Sequence, residues 1–314
     1  MGDNLQILGS GGAVTATDVV TRNGVVEHQP VVKVALGADG VFTGLLGDGA
    51  TLIGKVGLDQ VTPGANRVTA QPYLQALAEG EIVGHAPFAK LGYNAAVGST
   101  EEDIWEQSNV YVFPAAPMRM EVVSSSANDT LAGTGVQKVK VTYLDNTYAE
   151  RTETINLNGA TPVAMAATNI LRVNSLRATQ VGTGKAAAGT ITCRMIGGAA
   201  TVYMSIAAGF TRERCLVYTV PLGKTLYVTS IAISSGHTTA GKVVRWTGRA
   251  TMDDTDGSVI GFFQPWFEMI TMDASFHREF EMPIKFPATC DIKMSATSDG
   301  ATSYAVCALR GWLE

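Results

Sequence analysis

The sequence is poor in charged residues and has no long apolar run. Charged residues make up 16% of its 314 residues, against roughly 25% in average soluble domains. The formal net charge of −5 argues against a surface that binds duplex nucleic acid, because such surfaces are basic. No apolar stretch approaches the roughly 18 residues of a membrane-spanning helix, and the opening residues lack the basic and apolar regions of a signal peptide. We therefore expect no nucleic-acid partner, no membrane span and no export signal.

Cysteine and histidine are also scarce, with four residues of each. No two cysteines form a C-x-x-C pair and no two histidines have the spacing of a ligand pair on a helix, so we predict neither a metal site nor a cofactor. A chain of this length can bury a large core without disulfides. We expect reduced, buried thiols rather than disulfides at all four positions, which are Cys193, Cys215, Cys290 and Cys307.

Two segments resemble functional motifs but depart from them. Residues 182–185, GTGK, lack the spacing and the following Ser or Thr of a phosphate-binding P-loop, and we interpret them as a loop tip. Residues 252–257, MDDTDG, would need ligands at the first and twelfth positions of a calcium loop, where Met252 and Phe263 stand. We interpret this segment as a β-turn. No G-x-S-x-G elbow is present, and we predict no catalytic residues and no enzyme activity.

Glycine, threonine and short apolar runs are abundant, with 34 glycines, 34 threonines and 46% hydrophobic residues. This composition is typical of a β-rich, turn-rich fold. We predict an all-β chain with an N-terminal extended, short-strand docking arm or module at 1–92. Two antiparallel β-sandwich modules are expected to follow it, one at 93–200 and a jelly-roll-like one at 201–314.

The first of these regions holds short strand candidates and two candidate helices. Because short strands bury little surface by themselves, we expect this region to complete its packing against another chain, the alternative being an ordinary small β-domain. The apolar spacing at 73–78 predicts a short helix that Gly80 ends. A second short helix is predicted at 100–106, with Glu101 and Glu102 in its first turn. The strand candidates, separated by Gly-rich turns, are 31–36, 41–46 and 52–56.

Alternating apolar and polar residues predict half-buried strands in both later regions. In the first, the clearest are MRMEVVSSS and VQKVKVTYLD, and we expect Lys138 and Lys140 to face Glu150 and Glu153 across a hairpin. The last region has roughly eight or nine strand candidates, a number that suits a jelly roll or a similar sandwich. The residues expected to face its core are Leu226, Val228, Ile231 and Ile233.

Three aromatic residues of the last region are candidate glycan contacts, namely Trp246, Trp266 and Tyr304. Aromatic rings are flat and amphipathic, and such platforms can stack on sugar rings. The alternative, and the more frequent role of such residues, is a place in the core or in a subunit interface.

Several segments resemble structural proteins of tailed-bacteriophage virions. They are LIGKVGLDQVTPGANRV, the block from YVFPAAPMRMEVV to INLNG with its continuation ATNILRVNSLRATQVGTGKAAAGTI, and the segments VPLGKTLYV, ATCDIKMSAT and SYAVCALRGWL. The resemblance covers most of the chain. It implies a virion location after assembly in the host bacterial cytoplasm, where cysteines stay reduced, and a closed homo-oligomer, often a trimer. It supplies no catalytic residues.

The leading hypothesis is a structural component on the exterior of a tailed-phage virion, either a head decoration or fibre or a neck or tail protein. Residues 1–92 would dock to capsid, neck or tail proteins, and the two β-modules would project. The alternative is a host-receptor protein of the tail or baseplate that binds a surface glycan through its last module. A depolymerase is a third hypothesis, less favoured because the long repeats typical of such enzymes are not seen.

Overall fold

The computed structural model of the protein describes residues 16–22, 25–31, 73–197, 201–237, 242–253, 255–299 and 302–314. The chain divides into two units, Met1–Ala70 and Gln71–Glu314. In the first unit, strands β1 (Ala16–Arg22) and β2 (Val25–Val31) pair as an antiparallel hairpin. Apart from Val31, the three short strand candidates of this region lie outside the described residues, and the docking arm stays a prediction.

Within the described residues, the second unit has one helix and sixteen strands. In chain order they are α1 (Tyr73–Glu79), β3 (Ala86–Val97), β4 (Glu102–Asp103), β5 (Met120–Ser124), β6 (Val136–Asp145), β7 (Glu150–Asn156), β8 (Val163–Ala164), β9 (Ile170–Val181), β10 (Ile191–Met195), β11 (Val202–Ile206), β12 (Val217–Thr219), β13 (Leu226–His237), β14 (Val243–Met252), β15 (Val259–Met272), β16 (Ser275–Phe286), β17 (Asp291–Ser298) and β18 (Ser303–Leu313).

Eight of these strands form a jelly roll. One sheet has the order β16-β13-β18-β3 and the other β12-β17-β14-β15, with β4 also paired to β17. Counted along the chain from β3, with the two-residue strand β4 and strands β5 to β11 left out, these orders are 6-3-8-1 and 2-7-4-5, the arrangement of a double-sheet jelly roll. Its core contains the four predicted inward-facing residues of β13, where alternate side chains meet the opposite sheet. The prediction of an all-β chain with a jelly roll is confirmed.

A second sandwich is inserted into the jelly roll between β4 and β12. Its sheets, β11-β10-β5-β8 and β7-β6-β9, enclose a separate core in which Met120, Val139, Leu176 and Ile191 have no exposed surface. We call it the inserted sandwich. The chain crosses between the two sandwiches twice, at 104–119 on the way out and at 207–216 on the way back.

Sheet pairing runs across both of the module boundaries that the sequence suggests. Strand β3, at 86–97, joins the jelly roll by pairing with β18. Strand β11, at 202–206, joins the inserted sandwich by pairing with β10. Alternation along a strand is a local pattern and can be read from the sequence, whereas the partner of a strand depends on distant residues.

One of the two predicted helices is present. Helix α1 covers Tyr73–Glu79, and Gly80 follows it with a φ of 76°, a left-handed conformation that favours glycine. The second predicted helix is wrong, because Glu102–Asp103 forms strand β4 and pairs with Ser295 and Ala296 of β17. No helix in the described part of the chain is long and apolar enough to cross a membrane.

The hairpin β6–β7 has a register different from the expected one. Lys138 faces Asn156 and Lys140 faces Thr154, so the predicted cross-strand Lys–Glu pairs are wrong. Opposing residues in a hairpin are fixed by the length of its turn. The turn begins at Asp145, whose carboxylate accepts hydrogen bonds from backbone N–H groups within the turn.

All four cysteines are unpaired and buried, as predicted. Burial raises the pKa of the Cys193 and Cys215 thiols to about 12. Little thiolate therefore forms at neutral pH, and these side chains act as small apolar groups of the core.

Gly92 of β3 lies beside both crossings of the chain. A Cβ at this position would lie 2.5 Å from the Ile104 carbonyl oxygen and 2.7 Å from Leu216 Cβ. We expect Gly92→Ala to lower the free energy of unfolding by about 1–3 kcal/mol, because overpacking forces the backbone to move. The control is Gly98→Ala, whose Cβ would meet Glu102 Oε1 at 3.7 Å, an ordinary contact. Denaturant unfolding measures both variants, and an equal loss of stability in the two would contradict this account.

Candidate functional site

A buried ion pair joins the two sandwiches. Arg172 on β9 donates through Nε and Nη2, at 2.9 and 2.8 Å, to the two carboxylate oxygens of Asp291 on β17. Arg172 Nη1 donates to the Pro114 carbonyl oxygen at 2.9 Å. Both charged residues are 8% exposed. A bidentate pair of this kind fixes orientation, since both hydrogen bonds form only when the two planar groups are aligned.

Further hydrogen bonds surround this pair. Thr219 Oγ1 donates to Asp291 Oδ1. Asn174 Nδ2 donates to the Thr219 carbonyl oxygen at 2.8 Å, and the Thr219 N–H donates back to Asn174 Oδ1 at 3.0 Å. Because Asn174 belongs to β9 and Thr219 to β12, one strand of the inserted sandwich is hydrogen-bonded to two strands of the jelly roll.

Asp103 anchors the start of the first crossing. It is 1% exposed, and its carboxylate accepts from Ser295 Oγ at 2.6 Å and from the Tyr111 N–H at 2.7 Å. Lys293 Nζ lies 3.0 Å away and neutralises its charge. These three donors offset the free energy that the carboxylate loses when it is removed from water.

The two crossings are also clamped to each other. Arg214 of the second crossing donates to Glu106 of the first. The Arg214 guanidinium lies 3.7 Å from the ring centre of Phe210 and 4.2 Å from that of Tyr93, within the range of cation–π contacts. Burial raises the pKa of the Glu106 carboxyl, against the lowering effect of Arg214. We call the group Arg172, Asp291, Asp103, Lys293, Glu106 and Arg214 the seam.

The carboxylates expected to cap a helix have other partners. Glu101 pairs with Arg249 at 2.7 Å, and this hydrogen bond lowers the pKa of Glu101. Glu102 accepts from Asn94 Nδ2 at 3.2 Å. These contacts connect positions up to 148 residues apart, for which one sequence contains no signal. They belong to the packing around the seam and do not form an open acid–base site.

The acidic segment between β14 and β15 is a turn, as predicted. Asp253 accepts from the Thr255 N–H at 2.8 Å, and Asp256 accepts from the Ser258 N–H at 2.8 Å. Hydrogen bonds from Thr255 lower the pKa of Asp253. Across the described ranges, His, Cys, Asp and Glu side chains form no cluster of three or more suited to a metal ion.

Trp246, the first candidate glycan contact, lies in the jelly-roll core. It has no exposed surface, and its Nε1 donates to Thr271 Oγ1 at 2.8 Å. A ring in this position cannot stack on a sugar, so burial removes Trp246 from the candidate contacts. Its hydrogen bond satisfies the indole N–H, as is usual for a buried tryptophan.

Trp266, the second candidate, is only partly buried and lines a groove of about 760 Å³ at one end of the jelly roll. Its indole lies against Gly248, where a Cβ would come within 2.7 Å of the ring, and it packs edge-on against Phe286 at 5.3 Å. Asp256 and Lys285 also line the groove. We call this the loop-end groove, because residues of the loops around 223, 253 and 287 complete it.

Tyr304, the third candidate, lies on β18 in the other sheet of the jelly roll and is 47% exposed. Trp266 lies on β15, so the structure places the two remaining candidates on different sheets. Tyr73 and Trp312 are not among the glycan contacts predicted from the sequence. Their ring centres lie 5.4 Å apart, on the same sheet as Tyr304. Their only common signal in the sequence is aromatic character.

No protein-family model and no curated protein matches this chain. Solved structures from infectious bursal disease virus align with it. The structure of the Gt strain is 10% identical over 77% of this chain and 78% of that chain, with a TM-score of 0.16. The VP2 subviral particle is 9% identical over 77% of this chain and 86% of that chain, with a TM-score of 0.11. TM-scores this low do not establish a shared fold, and the fold of this chain is defined by its own strand order.

Removal of one partner of the buried ion pair tests the seam. We expect Arg172→Met to lower the free energy of unfolding by about 3–5 kcal/mol, because Asp291 then stays buried without its cation. The control is Arg245→Met, which breaks an ion pair whose side chains are 58% and 50% exposed and is expected to cost less than about 1 kcal/mol. Urea unfolding followed by tryptophan fluorescence measures both, and two losses of similar size would refute the assignment.

Proposed function

We propose that this protein is a structural component on the exterior of a tailed-phage virion. In this proposal the part of residues 1–92 that precedes strand β3 docks to capsid, neck or tail proteins, and the jelly roll, which includes β3, projects from the particle with the inserted sandwich. The protein acts there as head decoration, as a fibre, or as part of the neck or tail. No catalytic activity is part of the proposal.

The observation that carries the proposal is the insertion of one sandwich into a jelly roll. Jelly rolls are a common architecture of viral capsid proteins and of lectins. Here the inserted sandwich is held by two chain crossings and by the buried seam, including the Arg172–Asp291 pair at 2.8 Å. A projecting module held in this way resists bending better than one on a single flexible linker, which suits a part exposed to shear outside a particle.

Exposed apolar residues on two edge strands support association with further copies. Among the described strands, β15 and β16 each have a partner on one side only. Ile270, Met272 and Met282 on these strands are 67%, 57% and 83% exposed. Unpaired edges with large apolar side chains are typical of surfaces that become covered by a partner. The proposal includes a homo-oligomer for this reason, with a trimer as the favoured closed form.

Antibody labelling of purified particles tests the location. We expect an antibody raised against the full chain to decorate intact virions in negative-stain images, at sites arranged with the symmetry of the head, neck or tail. Particles disrupted with detergent or chelator serve as the control for epitopes hidden inside. Label that appears only after disruption, or no label on any virion component, would refute an exterior structural role.

The loop-end groove favours a second candidate function, recognition of a host-surface glycan. Its lining combines the Trp266 ring with charged and polar groups such as Asp256, Lys224 and Lys285. Ligand sites typically combine apolar walls with a few polar groups that fix orientation. In this function the protein belongs to the tail or baseplate and contacts the host receptor.

Binding of the full chain to host cells tests the second candidate. We expect Trp266→Ala to weaken binding about tenfold, as loss of a stacking ring does in other recognition sites. Lys285→Ala, at the exposed rim, is a second groove variant that avoids the packing contacts of Trp266. Phe262→Ala removes an exposed ring on the same strand, 62% exposed, and serves as the control. Equal binding by both groove variants and wild type would exclude this groove as the receptor site.

A further inference from the structure

The outer face of the sheet β16-β13-β18-β3 carries a shallow trough. Two adjoining cavities of about 490 and 360 Å³ share His277. The register places Ala232 of β13 between His277 of β16 and Ala308 of β18, and Leu91 of β3 lies next to Ala308. Small side chains thus form a floor in the middle of the sheet, and larger ones rise at both edges. We call this surface the outer-sheet trough.

Aromatic rings stand at both ends of this trough. At one end the Tyr73 ring from helix α1 meets Trp312 edge-on at 5.4 Å, and Trp312 stacks on Tyr227 at 5.1 Å. The indole Nε1 of Trp312 is buried and has no hydrogen-bond partner among the described residues, so Trp312 contributes its ring and not its N–H to this surface. At the other end, beyond Val306 of the second cavity, is Tyr304, eight residues before Trp312 on β18 and on the same face. Eight residues of strand span about 26 Å, so the trough is long as well as shallow.

A row of acidic, hydroxyl and basic side chains crosses the trough near the end formed by Tyr73 and Trp312. The register aligns Glu279 of β16, Ser230 of β13 and Arg310 of β18 in one row across the sheet. Glu281 and Thr229 line the same cavity. Carboxylate, hydroxyl and guanidinium groups together supply acceptors and planar donors on one surface.

We propose that the outer-sheet trough binds an extended saccharide chain. The rings at the two ends offer flat apolar faces to sugar rings, and the polar row offers donors and acceptors to sugar hydroxyls. The length of about 26 Å at the rise of a β-strand exceeds that of a single small metabolite. The proposal rests on the second candidate function, glycan recognition, and adds a site separate from the loop-end groove.

Two other occupants fit this surface less well. An extended peptide would need free backbone groups to pair with, but the floor strands β13 and β18 are hydrogen-bonded to strands on both sides, so only side chains are available to it. If a second copy of the chain docked through the same face, two concave surfaces would oppose each other. The small side chains in the middle of each sheet would then remain without contacts. A slender, hydroxylated chain fills a shallow polar trough more completely.

Binding of the full chain to an array of immobilised oligosaccharides and polysaccharide fragments, neutral and acidic, tests the proposal. We expect wild type to bind at least one saccharide class, and Tyr73→Ala and Tyr304→Ala each to weaken that binding about tenfold. Phe262→Ala, an exposed ring outside the trough, is expected to bind as wild type does. Circular dichroism and thermal unfolding confirm that each variant is folded, and His277→Ala provides a further variant in the middle of the trough.

The other outcomes separate the trough from the function on which it rests. Binding that Trp266→Ala weakens and the trough variants do not would overturn the trough and retain glycan recognition at the loop-end groove. No binding by wild type to any saccharide would overturn both, while the virion location is tested separately by antibody labelling. A dimer of the wild type that Tyr304→Ala dissociates would also overturn the proposal, because the face would then be covered by a second copy.

Discussion

The arrangement of the two sandwiches depends on the buried pair between Arg172 and Asp291. Each charge loses its hydration, and the loss is offset only while both hydrogen bonds of the pair form, at 2.9 and 2.8 Å. Rotation of the inserted sandwich against the jelly roll would separate β9 from β17 and leave both charges unpaired. The pair therefore penalises every relative orientation except one, and the rest of the seam acts in the same direction.

This constraint relates the architecture to the proposed functions. An inserted module that could swing on its crossings would transmit little force and would present a poorly defined surface. While the ion pairs of the seam are intact, the two sandwiches behave as one body. The loop end and the outer sheet of the jelly roll then keep a fixed geometry. The loop-end groove and the outer-sheet trough are both built on that jelly roll, so a receptor would meet a preorganised surface, which reduces the ordering cost of binding.

Local features of the fold could be predicted from the sequence, and long-range ones could not. The alternation that marks Leu226, Val228, Ile231 and Ile233 lies within one strand, and the stop at Gly80 depends on one residue. By contrast, Asp103 and Lys293 are 190 residues apart in the chain, and no local sequence pattern predicts their contact. The same limit applies to the tryptophans of β14 and β15, because Trp246 has no exposed surface whereas Trp266 is only partly buried against the core, and no local pattern distinguishes the two.

Native-state hydrogen exchange of the full chain at increasing denaturant shows whether the seam couples the two sandwiches, since it reports the opening free energy of each sandwich separately. The informative amides are those of Val139 and Val141 in β6 and of Ile231 and Ile233 in β13, all in buried core positions. If the seam joins the sandwiches into one body, the slowest amides of the two groups converge on the same opening free energy. Opening free energies that stay separate, with the inserted sandwich exchanging while the jelly roll remains closed, would show that the seam does not couple the two sandwiches.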